Sequence, residues 1–142
     1  MTSEIQAFLA LRRIAMIGVS HEPKHFSRAV FRAWRDRGYE MLPVNPAALE
    51  IEGKPCYPRP QEISPAAEAA LIMTPPAASE KAARDCVAAG IRRIWLYRRA
   101  PAAEAFCVEN GVTLIANECP LMYLQDMAWP HRVHRWLHAR AS

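Results

Sequence analysis

The stretch IAMIGVSHEPKHFSRAVFRAWRDRGYEMLPVNP, Ile14–Pro46, decides the fold. It opens on a short apolar run, Ile14–Val19 (IAMIGV), which reads as a strand buried on both faces. Ser27–Arg37 has helical spacing, with Ser27 the expected N-cap and Gly38 at the left-handed position past its end. Tyr39–Val44 (YEMLPV) is a second strand, closed by Asn45-Pro46. Strand, helix and strand in succession make a βαβ unit, so the two strands are parallel and the crossover right-handed.

The pattern continues outward. Lys54–Tyr57 is short and lies among Pro55, Pro58 and Pro60. Proline cannot donate to a ladder, so this strand belongs at a sheet edge. Ala69–Met73 (AALIM) is a further core strand. Thr74-Pro75 then starts a helix, with Thr74 expected as its cap and Gly90 ending it. Arg93–Tyr97 is a strand, Pro101–Asn110 a helix stopped by Gly111, and Val112–Ala116 the last strand. The expected architecture is α/β: one doubly wound, mostly parallel Rossmann-like sheet, order 3-2-1-4-5-6, with helices on both faces. Residues 1–125 form this domain. Residues 126–142 add an amphipathic C-terminal helix, about Pro130–Arg140, packed upon it.

Composition bounds the rest. The 142 residues suit one domain. Apolar residues make up 51%, with 25 alanines, so the core favours helix. No run reaches the roughly 18–20 apolar residues that a membrane span needs. Met1–Ala10 lacks the basic region of a signal peptide, and a cytoplasmic location is the expectation. Net charge is +4, with 15 Arg against 3 Lys, which suits an anionic small molecule as well as nucleic acid. Without a recognition-helix motif or an aromatic stacking pattern, nucleic acid is the lesser expectation. Cys56, Cys86, Cys107 and Cys119 form no CxxC pair and read as reduced thiols.

In such a sheet, ligands bind outside the carboxyl ends of the strands. Four segments converge there. They are the loop Gly18-Val19-Ser20-His21-Glu22-Pro23-Lys24, then Asn45-Pro46, Thr74-Pro75-Pro76, and Asn117-Glu118-Cys119. The first loop leads into a helix N-terminus, where backbone N–H groups and the helix dipole favour phosphate. Lys24 and Arg28 are candidates to add positive charge, and Arg98 or Arg99 could meet a phosphate at the fifth strand. The GxGxxG fingerprint is absent, and Val44-Asn45-Pro46 carries no acid to hold an NAD ribose. No GK[ST] occurs, so a Walker loop is absent too.

The segments IAMIGVSHEPKHFS, GYEMLPVNP, EIEGKPCYP, the strand ending Thr74-Pro75-Pro76, GIRRIWLY and NGVTLIANECPLMYL together resemble the CoA-binding domain family. These small proteins are similar to the N-terminal domain of the succinyl-CoA ligase alpha subunit. The resemblance covers roughly Leu11–Leu124. It implies CoA or acyl-CoA across the carboxyl edge, with the ADP part near Gly18–Lys24 and Asn45-Pro46. The implied contacts are Gly18, Val19, Ser20, His21, Pro23, Lys24, Ser27, Asn45, Pro46, Thr74, Pro75, Asn117, Glu118 and Cys119. Where many relatives have a glycine-rich stretch after the fifth strand, this chain has Arg98-Arg99-Ala100-Pro101.

The expected function is therefore a CoA or acyl-CoA binding module without catalysis of its own. A CoA- or nucleotide-dependent enzyme of acyl transfer or oxidoreduction is the alternative, and a nucleic-acid-binding regulator a third. The phosphohistidine domain of the ligase has no counterpart in these residues, so that reaction would need a protein partner. A homo-oligomer is equally compatible. His131, His134 and His138 share one face of the C-terminal helix, which reads as the outer face of an amphipathic helix rather than a metal site. Cys119 reads as facing the thiol end of the ligand.

Overall fold

A computed structural model describes residues 2–124. The C-terminal segment, with its three histidines, lies outside the described residues. A parallel five-stranded sheet carries the fold. Its strands are β1 (Arg13–Ile17), β2 (Glu40–Val44), β5 (Ala69–Ile72), β6 (Arg93–Leu96) and β7 (Thr113–Ala116), in the order β2-β1-β5-β6-β7. β3 (Glu50–Ile51) and β4 (Lys54–Pro55) form a small antiparallel hairpin apart from it.

The expected order holds for five of its six strands. The sixth, Lys54–Tyr57, is reduced to one parallel bridge between Tyr57 and Val44. Tyr57 donates its N–H to the Pro43 carbonyl and accepts from Asn45, both at 2.9 Å. Pro55 and Pro58 on either side cannot extend that ladder. Lys54 and Pro55 turn instead onto Glu50 and Ile51. The hairpin tip, Glu52-Gly53, has φ of 51° and 78°. Two consecutive positive φ values match the twist of a tight two-residue turn.

Beyond its first residue each strand of the sheet is apolar because both faces are covered, and alternate residues supply two cores. Ile14, Met16, Leu71 and Trp95 face one side, while Ala15, Ile17, Ile72 and Leu96 face the other. The first face is covered by α1 (Ser3–Leu9) and α2 (Phe26–Asp36) through Ile5, Phe8, Leu9, Val30, Phe31 and Trp34. The second is covered by α3 (Pro76–Ala88) and α4 (Pro101–Glu109) through Ala82, Ala83, Cys86, Ala103, Phe106 and Cys107.

α1 arises where the sequence reading excluded only a signal peptide. Ile5, Phe8 and Leu9 have the i, i+3, i+4 spacing of a buried helix stripe. The Thr2 hydroxyl caps it, accepting from the Ile5 N–H at 3.2 Å. The Tyr39 hydroxyl donates to the Leu9 carbonyl at 2.6 Å and ties the helix to the start of β2.

Two caps differ from expectation. His25 caps α2, its Nδ1 accepting from the Ser27 N–H at 3.0 Å, so Ser27 sits inside the first turn. Pro75 occupies the N-cap of α3, because Thr74 still follows the strand and Pro76 takes the first helical position. The Thr74 hydroxyl instead meets that of Ser79 at 2.8 Å.

Trp34 is fully buried, with edge contacts to Phe8 and Trp95 at 5.9 Å between ring centroids. Its Nε1 has no hydrogen-bond partner among the described residues. Trp34→Ala should cost about 3–5 kcal/mol in urea unfolding. Trp34→Phe should cost less, because it removes an unsatisfied N–H along with volume.

Candidate functional site

The four segments singled out from the sequence all lie at the carboxyl ends of the parallel strands, and each is fixed by a different set of bonds. β1 exits through Gly18, whose N–H donates to Val44 at 3.1 Å and whose φ is +85°. A Cβ there would lie 2.6 Å from Thr74 Cγ2 and 2.9 Å from the Thr74 nitrogen. The residue must be glycine because the end of β5 occupies the space, before any ligand is considered.

The loop from Val19 to Lys24 then crosses the edge and enters α2. Its Ser20 N–H donates to the fully buried Ser27 hydroxyl at 2.9 Å, and its Glu22 N–H to the Ser20 hydroxyl at 3.0 Å. Ser27 Oγ lies 2.8 Å from His25 Nδ1. That nitrogen already accepts from the Ser27 N–H, so the hydroxyl is the donor and the ring proton sits on Nε2. The N–H groups of Val19, His21, Lys24 and Phe26 make no hydrogen bond among the described residues. Unclaimed amides at the start of an 11-residue helix form a setting for phosphate.

Asn45 spans from β2 to this loop. Its Nδ2 donates to the Val19 carbonyl at 2.8 Å, and its Oδ1 accepts from Ala47 at 2.7 Å, so both polar ends are occupied. Pro46 follows on the exposed rim. His21 is exposed and lies 3.3 Å from Glu22. Lys24 is exposed and makes no hydrogen bond or ion pair among the described residues.

Arg28 is not free in that way. Its side chain is 9% exposed, and its Nη2 lies 2.6 Å from Glu52. Glu52 also receives Arg32 at 2.9 Å and Arg35 at 3.3 Å. Burial pushes the Glu52 carboxyl up, but the hydrogen bonds and charges of Arg28 and Arg32 outweigh it and hold its pKa below the usual value. The sequence reading missed both Glu52 and His25. The place of Glu52 depends on long-range packing, which folds the hairpin onto α2 and which local pattern does not encode.

A second part of the edge lies at β6 and β7. Tyr97, Arg98, Arg99, Asn117, Glu118 and Cys119 line an open cleft of about 420 Å³. Asn117 takes φ of 63° there, a left-handed turn out of β7. The Glu118 carbonyl accepts from Trp95 Nε1 at 2.9 Å, and its carboxylate accepts from the Tyr123 hydroxyl at 2.6 Å. Arg99 is committed to Glu104 at 2.9 Å, and Glu104 also accepts from the Ala100 N–H at the start of α4. Arg98 is exposed without a partner among the described residues. Phe26 and Tyr97 join this cleft to the Val19–Lys24 loop, their rings 5.4 Å apart. Thr74 and Pro75 lie at the end of β5, the strand between the two parts.

Among the described residues, no group of three His, Cys, Asp or Glu side chains is placed to hold a metal. No described helix is long and apolar enough to cross a membrane.

A family model described as a CoA binding domain matches residues 12–125. An uncharacterized protein of Bacillus subtilis, YneT, is 45% identical over 42 residues, which span 30% of this chain and 31% of that protein. A hypothetical protein from Pyrococcus horikoshii shares the fold with a TM-score of 0.83 at 24% identity, covering 89% of this chain and 92% of that one. A dinucleotide-forming acetyl-coenzyme A synthetase of Ca. Korarchaeum cryptofilum, in complex with phosphate and ADP, matches with a TM-score of 0.66 at 23% identity. That match covers 73% of this chain and 25% of the synthetase.

The crowding at Gly18 makes a direct expectation. Gly18→Ala should destabilise the fold by about 2–4 kcal/mol, from a left-handed non-glycine residue and an overpacked contact. Thr74→Ser should not rescue it, because the Thr74 backbone nitrogen remains in the way. Thermal melts of the single and double variants check this. Glu52 carries a pH expectation. A carboxylate held below its unfolded pKa stabilises the fold above that pKa, and the contribution is lost as pH falls through the native value. Urea unfolding between pH 6 and pH 3 should therefore show a stability loss in the wild type that is smaller in Glu52→Gln.

Proposed function

The chain belongs to the CoA binding domain family, and from that premise we propose that it binds CoA or an acyl-CoA along the carboxyl edge of its sheet. The observation that carries the reading is the Gly18–Lys24 loop. It combines unclaimed amides, a helix N-terminus and the unpaired Lys24 on one crossing of the edge. The ADP part of the ligand lies over this loop and Asn45-Pro46. Gly18, Val19, Ser20, His21, Pro23 and Lys24 line it, with Ser27 supporting it from beneath. The chain then passes Thr74 and Pro75 toward Asn117, Glu118 and Cys119. The cleft there is open enough for the thiol or acyl end, and Arg98 and Cys119 line it.

Binding without catalysis is the form of the proposal that the side chains support. The hydroxyl–imidazole pair Ser27–His25 has its hydroxyl fully buried and engaged by the loop. His21 lies beside Glu22 on the exposed rim. Glu118 is bonded to Tyr123. A nucleophile needs an orienting base within reach of substrate, and the one hydroxyl here that has such a base, Ser27, is buried and bonded to the Ser20 N–H.

Two measurements test the reading. In thermal-shift titrations, CoA at about 100 times its dissociation constant should stabilise the protein by about 2.7 kcal/mol, and NAD should not. Stabilisation by NAD with no response to CoA would overturn the proposal. In calorimetry, Lys24→Ala should weaken CoA several-fold and flatten the salt dependence of affinity, leaving the melting temperature unchanged.

A further inference from the structure

The phosphate loop is held from outside the edge by a cluster whose centre is a single carboxylate. Glu52 stands at the tip of the β3–β4 hairpin with φ of 51°, and its side chain is 13% exposed. Arg28 donates to Glu52 Oε2 through Nε at 3.0 Å and Nη2 at 2.6 Å. The remaining edge of the same guanidinium faces the loop, with Nη1 donating to the Ser20 carbonyl at 3.2 Å and the His21 carbonyl at 3.0 Å. Arg32 repeats the arrangement. It donates to Glu52 at 2.9 Å and to the Pro23 carbonyl at 3.3 Å. Arg35 reaches Glu52 at 3.3 Å but touches no loop carbonyl.

Three carbonyls of a seven-residue loop, those of Ser20, His21 and Pro23, are thus bonded to guanidinium groups. A guanidinium is planar and carries donors in a fixed fork, so anchoring one edge orients the other. Glu52 anchors it, and the bonds draw the loop's carbonyl oxygens to the cations. Carbonyl oxygens near a bound phosphate would repel it, so this placement matters for an anion more than for the core.

We infer that Glu52 and Arg28 are positioning residues for the ligand's diphosphate: without touching it, they hold the Ser20–Pro23 backbone in the form that receives it. This rests on the CoA reading above. The test uses calorimetry with CoA and with ADP as a probe that carries the diphosphate alone, together with hydrogen exchange of the loop. Glu52→Gln should weaken CoA and ADP by the same factor, about tenfold. Exchange should accelerate at the hydrogen-bonded amides of Ser20 and Glu22 and stay unchanged in β1, β5 and β6. Arg35→Gln, which loses a Glu52 contact but no loop carbonyl, should bind both ligands as the wild type does. Glu52→Gln that stays folded and binds CoA as tightly as the wild type would overturn the inference. So would exchange that accelerates across the whole sheet, which is the mark of a merely structural role. If Glu52→Gln does not fold, Arg32→Gln on its half-exposed side chain decides. Equal, about threefold losses for CoA and ADP support the inference, and unchanged affinities overturn it. A wild type that binds neither ligand refutes the CoA reading itself, a result distinct from all of these.

Discussion

The site depends on the contact between Gly18 and Thr74. Parallel strands end together at one edge, and their loops compete for the space above it. β1 is flanked on both sides, by β2 and β5, so its exit loop has no free side to take. It leaves by pressing its backbone against the end of β5, at a distance no side chain allows. The left-handed turn at Gly18 then sends the chain across the edge and into α2. A helix N-terminus is thereby delivered to the strand ends, where its dipole can act on an anion.

The loop that results is held by side chains rather than by a ladder. Ser27 takes the Ser20 N–H from below, Asn45 takes the Val19 carbonyl from β2, and Arg28 takes two further carbonyls from the outer side. These bonds come from three directions and use most of the polar groups near the loop. What they leave unbonded is a set of amides and the Lys24 ammonium. A backbone fixed in advance loses little freedom when a ligand binds, and that lowers the cost of association.

The sheet was legible in the sequence because its strands are apolar on both faces and its helices end at glycines. Ile14–Val19, Ala69–Met73 and Arg93–Tyr97 could be placed from local pattern alone. The glycine loop and Asn45 could be placed because a doubly wound sheet fixes which ends face the ligand. Local pattern was less informative about side-chain roles. Ser27 has the composition of a cap, yet His25 two residues earlier takes that place, since the Ser27 hydroxyl is needed by Ser20. Thr74 before Pro75 reads as a cap, yet Pro75 takes that place and the Thr74 hydroxyl turns to Ser79. The short edge strand failed for a related reason. Its prolines mark an edge, and Tyr57 does bridge Val44 there, but the positive-φ pair Glu52-Gly53 folds Lys54 and Pro55 into a hairpin.

Glu52 shows most clearly what local reading could not reach. In the sequence it is one acid among 14, in a segment notable only for its prolines. Its partners lie 17–24 residues earlier, on one face of α2, at Arg28, Arg32 and Arg35. Spacing of four and three puts those arginines on a common stripe, and such a stripe is ordinarily a solvated face. The hairpin changes that by bringing a carboxylate to it at low exposure. One guanidinium is then nearly buried and spans from acid to loop. An isolated buried ion pair contributes little net stability, since desolvation offsets attraction. Its value for the proposed CoA site lies in direction, because it fixes where the Ser20 and His21 carbonyl oxygens point.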